Sequence, residues 1–284
     1  DGDPLTYEFR VYADESLTTL VDSQTAVAQG AGAATSWQVA AELDENTDYW
    51  WTVQATDDED LNGDWSAAAR FFVNTANDAP TTPPGGSPAI GAEVTTTTPL
   101  LAVVHATDAD LDALSYFFEI DTAATFDSFE LEQSAELAEQ AGVSTSWTPL
   151  ELADNTTCYW RVRAFDGMTF SHWHSGWFFV NTANEAPAAP TVDHPGDASE
   201  VSTRQPTLTV KAALDVDLDA LVYDFELYED VEMTAPVTDV AGAGLAWQVG
   251  QSLDDNRSYF WRARAVDAHG AAGDWSATVS FFVN

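Results

Sequence analysis

The sequence repeats itself with a period of roughly 100 to 110 residues, which is the size of one β-sandwich domain. The motif Phe-Phe-Val-Asn ends each repeat. Each copy of this motif is preceded by a tryptophan at a matching position. An acidic residue followed by asparagine lies between the tryptophan and the motif. Each feature occurs three times: Phe71–Asn74, Phe178–Asn181 and Phe281–Asn284; Trp37, Trp147 and Trp247; Glu45-Asn46, Asp154-Asn155 and Asp255-Asn256.

This pattern divides the chain into three segments: 1–76, 77–183 and 184–284. Asp1 aligns with Asp110 and Asp217, so residues 77–109 and 184–216 have no counterpart in the first segment. We therefore expect the first domain to lack its first two strands. We interpret the chain as a window from a longer array. The alternative is that another chain completes the first domain by donating strands.

Short alternating segments between glycines and prolines predict strands rather than helices. In residues 158–164 one face carries Cys158, Trp160, Val162 and Ala164, and the other carries Tyr159, Arg161 and Arg163. The prediction is an all-β chain of tandem antiparallel β-sandwiches, the first one incomplete. Residues 131–141 are the exception, because they predict a short helical turn in an inserted loop.

The segments are joined by the linkers 74–80 and 181–187, each of which ends in proline. Proline restrains the backbone and removes a hydrogen-bond donor, so these linkers are expected to be short and stiff. The pattern therefore predicts an extended rod of domains with limited bending.

The charge excludes several classes of partner. Nine Lys and Arg against 47 Asp and Glu give a net charge of −38, which repels nucleic acids and anionic lipid surfaces and attracts divalent cations. No apolar run reaches the roughly 18 residues of a membrane span, so no membrane insertion is expected. Cys158 is the single cysteine, so no disulfide can form within the chain.

The segment Leu43–Tyr49 resembles the Leu-x-x-x-Thr-x-Tyr corner of fibronectin type III domains, and the alternation that follows it is similar to a strand of that family. Leu253 and Tyr259 repeat the pattern, whereas Cys158 takes the tyrosine position of the second repeat. The opening and the linkers resemble the fibronectin-type repeats of large secreted or surface bacterial proteins. The resemblance implies the fold and an extracellular or cell-surface location, but no activity.

A tryptophan before the last strand of each repeat is similar to the Trp-Ser motif of cytokine-receptor domains, in which the tryptophan stacks on arginines. The resemblance implies two structural stacks: Trp173 on Arg161 and Arg163, and Trp275 on Arg262 and Arg264. The first repeat has Thr52 and Gln54 at the arginine positions, so its stack is expected to be absent or rebuilt with Arg70.

Alternate aspartates in a loop can converge on a hard cation such as Ca²⁺, which takes six to eight oxygens. The loop recurs in the three repeats, and a second loop at the same pole begins with another aspartate. The candidate calcium ligands are Asp108, Asp110, Asp112 and Asp166; Asp215, Asp217, Asp219 and Asp267; and Asp1, Asp3 and Asp57. Asp78 or Glu185 of the linkers could contribute to a junction site. The alternative is that these aspartates only form turns.

Two tryptophans, Trp50 and Trp177, are not shared between repeats and are candidates for stacking on a sugar ring. No nucleophile elbow, phosphate loop or zinc motif indicates an enzyme. Two functions remain. The first is a structural segment of an extracellular fibre, stalk or surface-layer array, in contact with neighbouring repeats or with copies of itself as a homopolymer. The second is an adhesin, a glycan- or surface-binding module, or a spacer of a secreted hydrolase.

Overall fold

A computed structural model describes residues 4–284, and these residues form strands and no helix. No membrane-spanning helix occurs in this part of the chain. The first repeat forms one antiparallel sheet of four strands, in which β2, β1, β3 and β4 are neighbours in that order. Its strands are β1 (Thr6–Tyr12), β2 (Leu20–Ala28), β3 (Thr47–Thr56) and β4 (Ala69–Val73).

The second repeat forms two facing sheets. Its strands are β5 (Gly86–Ser87), β6 (Ala92–Val94), β7 (Leu101–Val104), β8 (Ser115–Asp121), β9 (Glu132–Gln133), β10 (Leu137–Ala138), β11 (Ser144–Trp147), β12 (Thr156–Phe165) and β13 (His174–Val180). One sheet has the order β11-β7-β5, and the other has the order β10-β8-β12-β13-β6 with β9 also paired to β8.

The third repeat has the same two-sheet arrangement. Its strands are β14 (Thr191–His194), β15 (Ser199–Val201), β16 (Thr207–Lys211), β17 (Val222–Tyr228), β18 (Pro236–Ala243), β19 (Ala246–Gln248), β20 (Arg257–Val266) and β21 (Val279–Val283). The sheets have the orders β14-β16-β19 and β15-β21-β20-β17-β18. This tandem arrangement of two-sheet, all-β sandwiches confirms the predicted fold class.

The core of each complete sandwich lies around the tryptophan of its longest strand. Trp160 in β12 and Trp261 in β20 are 1% and 0% exposed, because alternation turns them toward the facing sheet. In the second repeat the backbone of the facing sheet comes very close. A Cβ on Gly86 would lie 2.3 Å from the Trp160 ring, so this position requires glycine.

The single sheet of the first repeat buries its apolar face less completely. Trp51 is the counterpart of Trp160 and Trp261, yet it is 37% exposed. It lines an open groove of about 330 Å³ together with Phe9, Trp37 and Phe71. The difference follows from the number of layers, since residues 4–76 supply one sheet where each later repeat supplies two.

The predicted helical turn at residues 131–141 is wrong. This segment forms the short strands β9 and β10, which pair with β8. Between them, the backbone N–H of Ser134 donates to the carbonyl of Phe118, and the Ser134 hydroxyl accepts the N–H of Phe118. The open edge of β8 therefore supplies hydrogen-bond partners that outweigh the local helical preference.

The tyrosine corner forms where the tyrosine is present. The hydroxyl of Tyr49 accepts the backbone N–H of Asp44 at 2.9 Å, and that of Tyr259 accepts the N–H of Asp254 at 2.8 Å. Cys158 occupies this place in the second repeat and is 1% exposed. Burial raises the pKa of its thiol to about 11, which makes it an unreactive core residue.

The tryptophans before the last strands lie against guanidinium groups. The Trp173 ring centroid is 4.4 Å from both the Arg161 and the Arg163 guanidinium carbon, and Trp275 is 4.3 and 4.7 Å from those of Arg262 and Arg264.

In the first repeat the stack is rebuilt with a different arginine from the expected one. Arg10 of the neighbouring strand β1 lies 4.4 Å from the Trp65 ring, whereas Arg70 forms a bidentate pair with Asp48. The expectation for Arg70 is therefore wrong, because β1 presents a cation at the position that Thr52 leaves without one.

We expect Trp275→Ala to destabilise the third repeat by about 1–2 kcal/mol, since two partly exposed cation–π contacts of about 0.5–1 kcal/mol each are lost. Trp173→Ala should have a smaller effect, because Arg161 and Arg163 also lie over Phe126 and Phe170. Urea unfolding followed by repeat-resolved hydrogen exchange measures both. A larger loss for Trp173→Ala would contradict this account.

Candidate functional site

The predicted aspartate loops lie at the junctions between repeats. In the second repeat the loop follows β7, and its first aspartate organises it: the carboxylate Oδ1 of Asp108 accepts the backbone N–H groups of Asp110 and Asp112 at 2.9 and 3.4 Å. Asp215 does the same for Asp217 and Asp219 in the third repeat. These turns direct the side chains of each loop toward the linker before it.

The middle aspartate of each loop is buried and bonds to the linker. The backbone N–H of Asp78 donates to Asp110 Oδ2 at 2.6 Å, and that of Glu185 donates to Asp217 Oδ2 at the same distance. Asp110 and Asp217 are 6% and 4% exposed. The acidic residue of each linker is therefore fixed against the loop of the repeat that follows it.

The residue before that linker acid bonds to the second loop. The side-chain amide of Asn77 donates to Asp166 Oδ2 at 2.9 Å, and that of Asn184 donates to Asp267 Oδ2 at 2.7 Å. Asp166 also accepts the backbone N–H groups of Met168 and Thr169. The two predicted loops thus meet at each linker, as the sequence suggested.

Each preceding repeat contributes an asparagine, which the sequence analysis did not include in the site. The amide of Asn46 donates to Asp78 Oδ2 at 2.7 Å, and the amide of Asn155 donates to Glu185 Oε2 at 3.1 Å. Both asparagines have left-handed backbone conformations, with φ of 54° and 53°, which asparagine tolerates well. The recurrence of the acidic-Asn pair was visible in the sequence, but its contact across the repeats was not.

The three aspartates of each loop lie close together. Each offers one carboxylate oxygen within 4.8 Å of those of the other two, both in Asp108–Asp110–Asp112 and in Asp215–Asp217–Asp219. No Lys or Arg pairs with any of these six in residues 4–284. The junctions therefore concentrate negative charge without a lysine or arginine of this part of the chain to balance it.

The aspartate that begins the second loop of each repeat, Asp166 or Asp267, has a lowered pKa. Burial would raise the pKa of Asp166, but hydrogen bonds from Thr169 and Asn77 outweigh it and lower the pKa to about 2. The hydrogen bond from Asn184 is the main cause that lowers the pKa of Asp267. These carboxylates are held in the charged form by donors of their own turn and linker.

A histidine adds to the second junction. His269 Nδ1 lies 2.9 Å from Asp219 Oδ2, and this contact raises the pKa of the imidazole. Asp219, Asp267 and His269 form a further group whose ligand atoms lie within 4.8 Å of one another. His269 itself is largely exposed, with 62% of its side chain accessible.

The remaining candidates lie elsewhere. Asp1 and Asp3 fall outside the described residues. Asp57 forms a turn, in which its Oδ1 accepts the N–H groups of Glu59 and Leu61. Trp50 in β3 is half-buried, and Trp177 in β13 is 40% exposed. They lie in different repeats and do not form one surface on which a sugar could stack.

Comparison with known proteins adds little to this description. No protein-family model and no curated protein matches the chain. Among solved structures, the crystal structure of the chicken CNTN1 FN1–FN3 domains is similar over 100% of this chain and 90% of its own, with 14% identity and a TM-score of 0.32.

We expect Asp166→Asn to destabilise the second repeat by about 1–3 kcal/mol at pH 7, because charge-assisted hydrogen bonds to the turn and to Asn77 are lost. The contribution of Asp166 is present above the unfolded pKa of 3.8 and disappears as the pH falls toward about 2. Melting temperatures of the parent and the variant should therefore converge at low pH. A constant difference from pH 7 to pH 2 would contradict this.

Proposed function

We propose that the chain is a non-enzymatic structural segment of an extracellular fibre, stalk or surface-layer array, in which each sandwich follows the last in a fixed orientation. The observation that carries the proposal is that both junctions have the same hydrogen bonds. In each, the backbone N–H of the linker acid binds the loop of the next repeat and its carboxylate binds an asparagine of the previous one.

A second contact ties each linker to the preceding repeat. The carboxylate of Glu45 accepts the backbone N–H and the hydroxyl of Thr75, and Asp154 accepts the same two groups of Thr182. Hydrogen bonds from Thr182 lower the pKa of Asp154, and hydrogen bonds from Thr75 lower the pKa of Glu45. The linkers are therefore bonded at both ends, which supports a stiff succession of domains rather than a flexible string.

Repetition of one module supports a role in extending the protein rather than in catalysis. Most tryptophans at shared positions pack in or beside the cores, as Trp160 and Trp261 do. A module that occurs three times extends a protein or multiplies weak contacts. The resemblance to repeats of secreted proteins supports a place outside the cell.

The fixed orientation is tested by the distance between spin labels on neighbouring repeats, at Thr25→Cys in β2 and Val104→Cys in β7, with excess calcium present. We expect one narrow distance distribution in the parent. Insertion of Gly-Ser-Gly between Ala76 and Asn77 should broaden it, because the linker can then no longer bond at both ends.

The control is the same tripeptide inserted after Gly142, in an exposed loop of the second repeat. This variant should keep the narrow distribution. A parent distribution as broad as that of the linker insertion would overturn the proposed function.

A further inference from the structure

Both junctions contain the same set of buried oxygens that have no hydrogen-bond partner. At the first they are Asn46 Oδ1, Asp108 Oδ2 and Asp110 Oδ1. At the second they are Asn155 Oδ1, Asp215 Oδ2 and Asp217 Oδ1. A buried acceptor without a partner is costly, so its occurrence at six equivalent atoms requires an explanation.

In each residue the other polar atom is held in place. Asp108 uses Oδ1 for its own turn, Asp110 uses Oδ2 for the N–H of Asp78, and Asn46 uses its amide nitrogen for the Asp78 carboxylate. The side chains are thus oriented by one atom each, and the other atom is left without a donor. Carboxylate oxygens lie within 4.8 Å of one another in each loop, and buried oxygens that no donor meets are left beside them. This is the arrangement of a cation site.

Turn formation alone does not account for these oxygens. Asp14 and Asp230 form turns in exposed loops, and both carboxylate oxygens of each accept hydrogen bonds from the turn. Asp166 likewise accepts bonds on both oxygens. The first and middle aspartates of each junction loop differ, because one carboxylate oxygen of each is buried and unbonded: Asp108, Asp110, Asp215 and Asp217.

We infer that each junction is a Ca²⁺ site shared by two repeats, formed by Asn46, Asp108 and Asp110 at the first and by Asn155, Asp215 and Asp217 at the second. The inference deepens the proposed function, because an ion held by both repeats fixes their orientation.

The donor chemistry favours Ca²⁺ over other cations. The ligands are carboxylate and amide oxygens, without sulfur. Oxygens about 2.4 Å from one ion lie at most about 4.8 Å apart, which is the spacing found within each loop. Asp78 and Asp112 bring further carboxylates to the first junction. Ca²⁺ accepts six to eight oxygens in irregular geometry, whereas Mg²⁺ demands a strict octahedron and keeps its waters.

The bound ion explains how so much negative charge can be packed between repeats. Without it, the carboxylates of the loop and of the linker repel one another at a site that no lysine or arginine of the described residues neutralises. With it, the asparagine of one repeat and the aspartates of the next bind the same charge. Calcium is then expected to stiffen the chain as well as stabilise it.

The test is calcium titration calorimetry of the full chain after treatment with a chelator. We expect two Ca²⁺ ions per chain. Asp110→Asn and Asp217→Asn should each remove one, and the double variant should remove both. Asparagine at these positions still accepts the N–H of Asp78 or Glu185, so circular dichroism should show that the fold persists.

The matched control uses the third copy of the same corner. Asn256 has the same left-handed conformation, with φ of 57°, but its side chain is exposed and bonds to no linker acid in the described residues. Asn155→Ala should weaken binding at the second junction about tenfold or more. Asn256→Ala should leave both affinities unchanged.

Three results would overturn the inference: no saturable calcium binding, a stoichiometry that Asp110→Asn and Asp217→Asn do not alter, or an equal response to Mg²⁺. The spin-label distances separate this from the proposed function. If the distance distribution is narrow with calcium and equally narrow with chelator, the shared site is overturned and the fixed orientation of the repeats stands. If two calcium ions bind while the distances stay broad, the fixed orientation is overturned and each ion is held by the loop of one repeat alone.

Discussion

Burial of one tryptophan between two sheets sets the geometry on which the rest depends. Trp160 and Trp261 lie in the longest strand of their repeats and are almost completely enclosed. That strand ends at the turn of Asp166 or Asp267, and the facing sheet leads into the loop of Asp108 or Asp215. Packing the sheets therefore brings two acidic loops to one pole, next to the incoming linker.

The side chains at each junction have two polar atoms, and the two atoms have different uses. Asp108 uses one oxygen for its own turn, Asp110 uses one for the linker N–H, and Asn46 uses its amide nitrogen for the linker carboxylate. The second polar atom of each side chain is left, as we infer, for an ion. This division explains why a chain with net charge −38 can place carboxylates side by side without arginine. The arginines serve the outer face instead, where Arg161 and Arg262 stack on tryptophans and pair with Glu119 and Glu226.

Local sequence patterns predicted the structure well wherever it depends on the two-residue alternation of a strand. The all-β fold followed from it, as did the face that carries Arg161 and Arg163. The predictions that failed concern segments whose structure depends on a neighbouring strand. Residues 131–141 pair with the edge of β8 instead of coiling, and Arg10 of β1 takes the place expected for Arg70. Pairing partners of this kind depend on strand order, which local periodicity does not encode.

The sequence by itself determined the repeat, the strands and the acidic loops, because each depends on residues close together in the chain. Only the tertiary structure decided that Asn46 and Asn155 belong to the junctions. They precede the aspartates by 60 positions or more and come from a different repeat. Their amides reach the linker acids because a tight left-handed turn at the end of one sandwich faces the start of the next, and such contacts arise from packing alone.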